Sequence, residues 1–472
     1  MNYDVYIGLE IHCELLTKSK MFCSCKNEFG GEMNTRVCPV CLGMPGALPS
    51  VNKNAVALAI KAGIVSDCTI NKVSVFERKN YFYPDSPKAY QITQLNNPIC
   101  SNGCIILNNN RKVRINRIQL EEDAGKLIHN EENGVSLVDF NRCGVPLIEI
   151  VTEPDMRSSE EVCEFVFEIA QRMKYAGVCD SRMEEGSLRV DVNISLCPKN
   201  SGALGERAEI KNLNSYRSIS RAIEYEIERQ SNILDGGGTV VQETRRFSED
   251  DKKTYSMRSK EDAQDYKYFA EPDIPGIKLC DADIDKIKKS VPKMPRERYR
   301  EYIGFGLSDY EAGLILKEME FSSFYDEAVK YNGNYKEICN IMLGEVNRYL
   351  NEYSLRINEV KFLPGDIAKL AKLSLDGTIS KNSVKDIVKE MFLNGGNVED
   401  IAKKGGHILE NNSEKISLCV DEIILKNQEM VLEYKNGNKK IFGYLMGQLV
   451  RMLGKSTNPA TVNDILKSKL DE

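Results

Sequence analysis

Close to its start the sequence contains an alternating stretch, Val5-Tyr6-Ile7-Gly8-Leu9-Glu10-Ile11-His12-Cys13-Glu14-Leu15. Successive side chains of a β-strand point to opposite faces of its sheet. The odd-numbered positions here are apolar, whereas Glu10, His12 and Glu14 fall on the other face. We therefore predict a strand that turns one face to the core and presents two carboxylates and an imidazole on the other.

Two later stretches show the same division between an apolar and a polar face. Pro146–Val151 is apolar except for Glu149, and a carboxylate in such a strand is costly to bury unless a cation or hydrogen-bond donors satisfy it. Ser187–Ser195 alternates aliphatic residues with polar ones, which are Arg189, Asp191, Asn193 and Ser195. Together these strands predict the floor of a site that holds metal ions and phosphate.

The acidic side chains are candidate ligands for magnesium, which prefers oxygen atoms in octahedral array. In Leu120–Lys126, three adjacent acids precede a glycine and a lysine, which is typical of a strand that ends in a loop. The phase of this strand leaves open whether Glu121 or Glu122 faces the site. Glu209–Ser215 adds an acid, a lysine and two amides. The full set of candidates is Glu10, His12, Glu121, Glu122, Glu149, Asp191 and Glu209.

These polar faces have a simpler interpretation, a solvated sheet surface held by cross-strand salt bridges. That interpretation explains any single strand, but it explains four polar faces of one composition less well, so we favour the metal site. The sequence contains neither a Walker A motif nor GxGxxG. Any bound ATP is therefore held by something other than a P-loop or a Rossmann turn.

Four cysteines form two close pairs, Cys23-Ser24-Cys25 and Cys38-Pro39-Val40-Cys41, separated by twelve residues. Two pairs of thiolates on turns are what tetrahedral zinc requires, and four protein ligands would make the site structural. An iron–sulfur centre and free buried thiols are the alternatives. We favour zinc.

The segment Arg78–Gln91 combines cations, phenols and prolines in a loop. It is equally compatible with a phosphate clamp, a stacking surface for a nucleotide end, the wall of a polar channel, or a large loop packed by its own aromatic side chains.

Composition indicates an ordinary globular protein of two or three domains, because 472 residues are too many for one core. We expect no transmembrane helix and no secretory signal. Fifteen cysteines without such a signal predict reduced thiols in the cytoplasm. A net charge of −6 leaves room for a local RNA-binding surface.

The order of elements suggests a strand-rich first part and a helical second part. Ser158 with Glu161 predicts the start of a helix that stops near Gly177, and a second helix is expected over Ile219–Leu234. Prolines near residue 290 mark the domain boundary, and glycines near residue 400 divide the helical part again. Residues 442–470 predict a helix, a turn and a second helix.

Several motifs carry a specific likeness to a known family. They are Ile7–His12, Arg78–Gln91, Leu120–Lys126, Asp139–Arg142, Met183–Arg189, Lys211–Ser215, Asp265–Phe269, Glu271–Asp273, Gly443–Gln448 and Gly454–Pro459. The sequence resembles the GatB family, B subunits of the glutamyl/aspartyl-tRNA amidotransferase, over nearly its whole length. The last two motifs are similar to those of YqeY-type domains.

The resemblance implies an α+β fold, with a cradle domain around an antiparallel β-sheet with flanking helices, followed by all-α helical and tail domains. We expect the cradle at residues 1–290, the helical domain at 291–400 and a YqeY-like, tRNA-binding tail at 401–472. The implied reaction uses ATP and Mg²⁺ to phosphorylate the side-chain carboxylate of Glu-tRNA(Gln), Asp-tRNA(Asn) or both. Ammonia then displaces the phosphate. A GatA-type amidase subunit would supply the ammonia, and a GatC-type subunit would complete a heterotrimer.

The resemblance also suggests roles for individual residues. Metal positions are Glu10, His12, Glu121, Glu122, Glu149 and Glu209. Catalytic positions are Lys211, which would neutralise the transferring phosphate, with Arg189, Asn212, Asn214 and Asp191. Positions for the nucleotide are Lys126, Asn193 and Ser215, and positions along the ammonia route are Lys79, Tyr81, Asp85 and Lys88. The zinc cysteines occur in some members only. The sequence departs from the family pattern at Gln119, where members of the family usually have His. We expect the activity to survive this difference.

Two other hypotheses belong to different classes of protein. A zinc-stapled tRNA-binding subunit without catalysis is disfavoured, because acidic faces repel an RNA backbone. A ligase that acts on a free amino acid is disfavoured, because the helical tail would serve no purpose for a small substrate.

Overall fold

The fold is described from a computed structural model. It describes residues 3–130, 134–199, 201, 204–259, 266–409, 413–435, 437–453 and 459–471. The chain forms two compact units, Met1–Pro295 and Arg296–Glu472. The motif residues Asp265 and 454–458 lie outside the described residues. The division of the helical part near residue 400 stays a prediction.

In its described residues, the first unit contains all the named strands and four helices. The strands are β1 (Tyr3–Glu14), β2 (Thr69–Ile70), β3 (Val73–Ser74), β4 (Glu77–Asn80), β5 (Tyr90–Thr93), β6 (Cys100–Ile106), β7 (Lys112–Glu122), β8 (Lys126–Asn130), β9 (Val135–Asp139), β10 (Pro146–Thr152), β11 (Leu188–Pro198), β12 (Ala208–Leu213), β13 (Glu243–Ser248), β14 (Lys253–Ser259), β15 (Phe269–Ala270) and β16 (Ile277–Lys278). The helices are α1 (Lys53–Val65), α2 (Ser159–Tyr175), α3 (Tyr216–Asp235) and α4 (Asp281–Lys289).

Nine of these strands form one large sheet, in the order β14-β13-β12-β11-β1-β10-β7-β6-β2. Adjacent strands of this sheet pair antiparallel, except for β12 and β13, which run parallel. The sheet is therefore mixed. Apart from this parallel pair it is antiparallel, as the resemblance implied. The parallel pair is possible because helix α3 separates the two strands in sequence, and a crossover of that kind is what a parallel pair needs. The predicted α+β class is confirmed.

The apolar face of the sheet forms the core of the first unit. Ile7, Leu9 and Ile11 of β1 are at most 1% exposed, and they belong to one hydrophobic cluster with residues of α1, α2 and α3. Each buried aliphatic side chain of this kind contributes about 1.5–3 kcal/mol. Because the apolar positions alternate, burying them commits the polar positions of the same strands to the opposite face.

Local signals place two of the helices largely as predicted. Ser158 caps α2 by accepting a hydrogen bond from the Glu161 backbone at 3.3 Å. The Glu161 carboxylate instead accepts from the Arg157 backbone at 2.8 Å, so only half of the expected capping box forms. Helix α3 starts at Tyr216, three residues before the predicted start, because Ser215 provides a cap that the apolar pattern did not reveal.

The second unit is helical. Its helices are α5 (Pro295–Gly304), α6 (Asp309–Ile315), α7 (Met319–Val329), α8 (Tyr335–Ile341), α9 (Asn347–Tyr353), α10 (Pro364–Leu375), α11 (Lys381–Asn394), α12 (Val398–Lys404), α13 (Ser413–Lys426), α14 (Gln428–Lys435), α15 (Lys440–Leu453) and α16 (Pro459–Asp471). Met342–Val346 is a π-helical segment and Ile357–Glu359 a 3₁₀ turn. Two separate hydrophobic clusters occur here, one over residues 302–402 and one over 416–470. Across the described parts of the chain, the helices lack the length and hydrophobicity that a bilayer-spanning segment requires.

Candidate active site

A row of polar side chains crosses adjacent strands on the face opposite the core. His12 of β1 lies directly opposite Glu149 of β10, and Glu149 in turn lies opposite Gln119 of β7. On the other side of β1, His12 is paired with Arg189 of β11. This register assembles one site from positions that are far apart in sequence.

Three of the predicted metal ligands come together in this row. The Nε2 atom of His12 lies 3.8 Å from Glu121 Oε2 and 3.9 Å from Glu149 Oε2. The ligand atoms of the three residues all lie within 4.8 Å of one another. Two carboxylates and an imidazole at this spacing are suited to a divalent cation.

The protonation of this group depends mainly on burial. Burial raises the pKa of Glu149 well above its usual value, and the charge of Glu121 adds to the rise. Burial alone would also raise the pKa of Glu121, but the ammonium of Lys79, the imidazole of His12 and the hydrogen bond from Thr93 together outweigh burial and hold that pKa below its usual value. Burial lowers the pKa of His12, which favours the neutral imidazole that metals bind. A cation bound here would favour the ionised form of Glu149.

Glu121 is further held by side chains of β5. Thr93 Oγ1 donates to Glu121 Oε1 at 2.6 Å, and Gln91 Nε2 donates to Glu121 Oε2 at 3.2 Å. Glu121 is 2% exposed, so these bonds satisfy a carboxylate that would otherwise be costly to bury.

Glu122, the neighbour of Glu121, has a different environment. Its carboxylate forms an ion pair with Lys88 and accepts a hydrogen bond from the Ile92 backbone at 3.1 Å. Among the described residues it is Glu121 that groups with His12 and Glu149. The phase of the strand had left open which of the two acids faces the site. In the structure, Glu121 lies with His12 and Glu149, whereas Glu122 pairs with Lys88.

A second group of charges centres on Lys211 of β12. Its Nζ atom lies 2.9 Å from Asp191 Oδ2 and 2.8 Å from Glu209 Oε1. Burial opposes the charge of Lys211, yet these two carboxylates raise its pKa above the usual value. Thr244 Oγ1 donates to Glu209 Oε2 at 2.9 Å. Glu209, a predicted metal position, is therefore engaged by a lysine and a hydroxyl.

Two further predicted residues are held by partners on the same face. Asn193 Nδ2 donates to Glu10 Oε1 at 3.0 Å. This bond connects a residue predicted to bind the nucleotide with a residue predicted to bind the metal. Arg189 donates to both oxygens of Asp123, at 2.9 and 3.3 Å, and Asp123 lies in the loop after β7. Arg142 Nε lies 3.4 Å from the same carboxylate.

Four predicted residues are either engaged elsewhere or exposed in the described structure. Asn212 has a φ of +68° and donates to the Phe247 carbonyl at 3.0 Å, so its amide supports the sheet. The Ser215 hydroxyl caps α3, where it accepts from the Ser218 backbone at 3.1 Å. Asn214 and Lys126 have exposed side chains.

The predicted ammonia-route residues divide into two sets. Tyr81, Asp85 and Lys88 line a small pocket next to Glu122. Lys79 instead faces the carboxylates of the metal group, which keep its pKa above the usual value although burial opposes its charge. Its Nζ atom also lies 5.0 Å from the centroid of the Tyr266 ring.

The four cysteines of the two sequence pairs gather into a possible metal site. The sulfur atoms of Cys23, Cys25, Cys38 and Cys41 lie within 4.8 Å of one another. Lys20 is fully buried and its Nζ atom lies 3.8 Å from Cys41 Sγ. The hydrogen bond from Cys23, aided by the Lys20 charge, lowers the pKa of Cys41 to about 5. A buried ammonium facing sulfur is what an anionic metal–thiolate cluster would require.

Sequence reasoning gave no role to Thr93, Asp123 or Lys20. The Tyr90–Thr93 alternation and the acid run that contains Asp123 were visible signals, but neither reveals a partner on another strand. Lys20 had no signal, because a lysine at the end of a polar stretch such as Thr17–Lys20 predicts a solvated surface.

Comparison with known proteins adds an independent finding. The profile of the GatB/GatE catalytic domain matches residues 5–285, and the profile of the GatB domain matches residues 323–470. The chain belongs to the GatB family. This result confirms the resemblance on which the predicted site residues depend.

Several curated GatB proteins match over the full length of the chain. The B subunit of the aspartyl/glutamyl-tRNA(Asn/Gln) amidotransferase of Caldicellulosiruptor saccharolyticus is 48% identical over 479 residues, covering 100% of both chains. The corresponding B subunits of Clostridium novyi and Thermodesulfovibrio yellowstonii are 46% and 44% identical, again covering 100% of both chains.

Proposed function

We propose that this GatB chain phosphorylates the side-chain carboxylate of Glu-tRNA(Gln), Asp-tRNA(Asn) or both, and that it then amidates the activated carboxyl. The observation that carries the proposal is that the group of His12, Glu121 and Glu149 and the charged cluster of Lys211 lie on the same polar face of the sheet. The names of the full-length relatives, which specify an aspartyl/glutamyl-tRNA amidotransferase, support the choice of substrate.

His12, Glu121 and Glu149 would hold Mg²⁺, and Glu10 belongs to the same polar face. Bound Mg²⁺ supplies neutralisation of the charge that develops on the phosphate oxygens of ATP. The protein's own part is orientation. Glu121 is fixed by Thr93 and Gln91, so its carboxylate is already aligned before any ligand binds.

Lys211 provides a fixed positive charge for the transferring phosphoryl group. Asp191 and Glu209 hold its ammonium from two sides, which keeps the long side chain in place on the sheet. Arg189, anchored by Asp123, adds a second cation on the same face. The oxygen of the substrate carboxylate would attack the γ-phosphorus of ATP, and ADP would leave.

Ammonia completes the reaction when its nitrogen bonds to the activated carbonyl carbon and phosphate leaves. The pocket lined by Tyr81, Asp85 and Lys88 is our candidate for part of its route. A glutaminase partner of the GatA type, with a GatC-type small subunit, would supply the ammonia, and the naming of the relatives as B subunits supports such an assembly. Exposed apolar side chains suited to a partner surface are Phe29, Met33, Phe82 and Leu137.

We also propose that the cysteine cluster binds structural zinc and that the protein works in the cytoplasm. The described chain includes all fifteen cysteines, and they are free thiols, as a reducing compartment would keep them. The cluster is joined to the segment beside the active site, because Arg36 and Asn34 bond to residues 138–141. Zinc would therefore hold the loop that carries Arg142.

For the zinc site we predict that Cys38→Ser lowers the zinc content of the purified chain from one ion to near zero, because three thiolates bind too weakly to retain the metal. Elemental analysis by mass spectrometry provides the measurement. Cys143→Ser is the matched control, since this thiol donates to the Cys41 carbonyl at 3.2 Å but stands outside the cluster. Iron in place of zinc would favour the iron–sulfur alternative, and a metal-free wild-type chain would contradict the proposal.

The test of the proposed reaction is ATP hydrolysis by the chain co-purified with its partner subunits at fixed Mg²⁺. Glu-tRNA(Gln), Asp-tRNA(Asn), uncharged tRNA and free glutamate are compared. We expect stimulation by a misacylated tRNA alone, because only this substrate carries the carboxylate on an RNA. Equal stimulation by free glutamate would indicate a small-molecule ligase. The absence of any tRNA-dependent hydrolysis would move the chemistry elsewhere and favour a non-catalytic tRNA-binding subunit.

A further inference from the structure

We propose that Gln119 is a positioning residue that clamps the two carboxylates of the metal group together. The inference rests on the proposed function, because it assumes that Glu121 and Glu149 bind a cation. Gln119 lies on β7, directly opposite Glu149 and two residues before Glu121. It is 4% exposed, so its amide must be satisfied by protein groups.

One amide nitrogen reaches both carboxylates. Gln119 Nε2 lies 2.9 Å from Glu149 Oε2 and 2.8 Å from Glu121 Oε1. These are good distances for charge-assisted hydrogen bonds. The nitrogen also lies 3.2 Å from Thr93 Oγ1, whose own hydroxyl donates to Glu121.

The orientation of this amide is determined by Arg117. Arg117 Nε donates to Gln119 Oε1 at 2.6 Å. A guanidinium group cannot accept a hydrogen bond, so the oxygen of the amide must face Arg117 and the NH₂ group must face the carboxylates. Gln119 therefore acts as a donor to the ligands and offers the cation no lone pair.

A neutral donor is well suited to this position. Two carboxylates a few ångströms apart repel each other, and a lysine in the same place would hold them by adding a charge that competes with a divalent cation. The amide draws Glu121 and Glu149 together without adding charge and without titrating. It occupies Oε1 of Glu121, while Oε2 of Glu121 remains near His12 Nε2, at 3.8 Å.

The test is the affinity of the full-length chain for Mn²⁺, measured by electron paramagnetic resonance of the free ion. Gln119→Met keeps the length of the side chain but removes both donors. We expect it to raise the dissociation constant for Mn²⁺ about 10- to 100-fold, the usual effect of losing a group that orients a metal ligand. Gln119→His keeps an N–H that reaches one carboxylate at a time, so we expect a smaller loss.

Gln448→Met, the same chemical change in helix α15 of the second unit, should leave Mn²⁺ binding unchanged. Circular dichroism of each variant checks that the fold is retained, and Gln119→His decides the outcome if Gln119→Met does not fold. Wild-type affinity in both Gln119 variants would overturn the clamp while leaving the metal site in place. A wild-type chain that does not bind Mn²⁺ would overturn the metal site and the clamp together.

Discussion

Replacing Glu149 by glutamine should abolish most of the activity while preserving the fold. Burial raises the pKa of Glu149 well above its usual value, which favours the protonated acid in the cation-free protein. Glutamine has the shape and the neutral charge of that protonated acid, so the surrounding hydrogen bond with Gln119 can persist. What the amide cannot supply is the anionic oxygen that a divalent cation needs.

We expect Glu149→Gln to reduce tRNA-dependent ATP hydrolysis about 10³-fold, the equivalent of about 4 kcal/mol of electrostatic stabilisation of the transition state. Steady-state rates with a misacylated tRNA at saturating Mg²⁺ provide the measurement. Glu153→Gln is the matched control. Glu153 follows the end of β10, and its carboxylate accepts a hydrogen bond from Asn116 at 2.7 Å. Equal rates in Glu149→Gln and the wild type would move the chemistry away from this face.

The second large effect is expected at Lys211. Lys211→Met removes the fixed positive charge that we assign to the transferring phosphoryl group, and it leaves Asp191 and Glu209 facing each other without a counter-ion. Removing one electrostatic donor to a developing charge typically costs about 10²- to 10³-fold in kcat. We expect a loss of that size in kcat for ATP hydrolysis.

Two comparisons make the Lys211 experiment specific. Lys211→Arg keeps the charge but changes its geometry, so it should recover only part of the rate. Lys253→Met, at an exposed position at the start of β14, should behave as the wild type. A change confined to KM for ATP would contradict a role specific to the transition state, because it would indicate that Lys211 stabilises the ground state and the transition state equally.

Much of this site could be predicted because it depends on local pattern. Alternation in Val5–Leu15 placed His12 on the polar face, and the burial of Ile7 and Leu9 bears this out. The spacing of the cysteine pairs predicted a cluster that the structure assembles. These predictions hold because the period of a strand and the geometry of a turn are properties of a few consecutive residues.

Other predicted residues could not be assigned in this way. Asn212 and Ser215 are polar residues beside a functional lysine, yet one supports the sheet and the other caps a helix. Both uses satisfy backbone groups that sequence alone leaves unaccounted for. A motif therefore marks a region of the chain more reliably than it marks the side chains that face the substrate.

The sequence by itself determined the α+β division, the polar face of the strands and the identity of the family. Only the tertiary structure decided that Glu121 groups with His12 while Glu122 pairs with Lys88, and that Gln119 joins two carboxylates. The reason is that strand alternation has a period but no register. Which residues meet across β1, β7 and β10 depends on how distant strands pair, and a shift of one residue would turn every side chain to the other face.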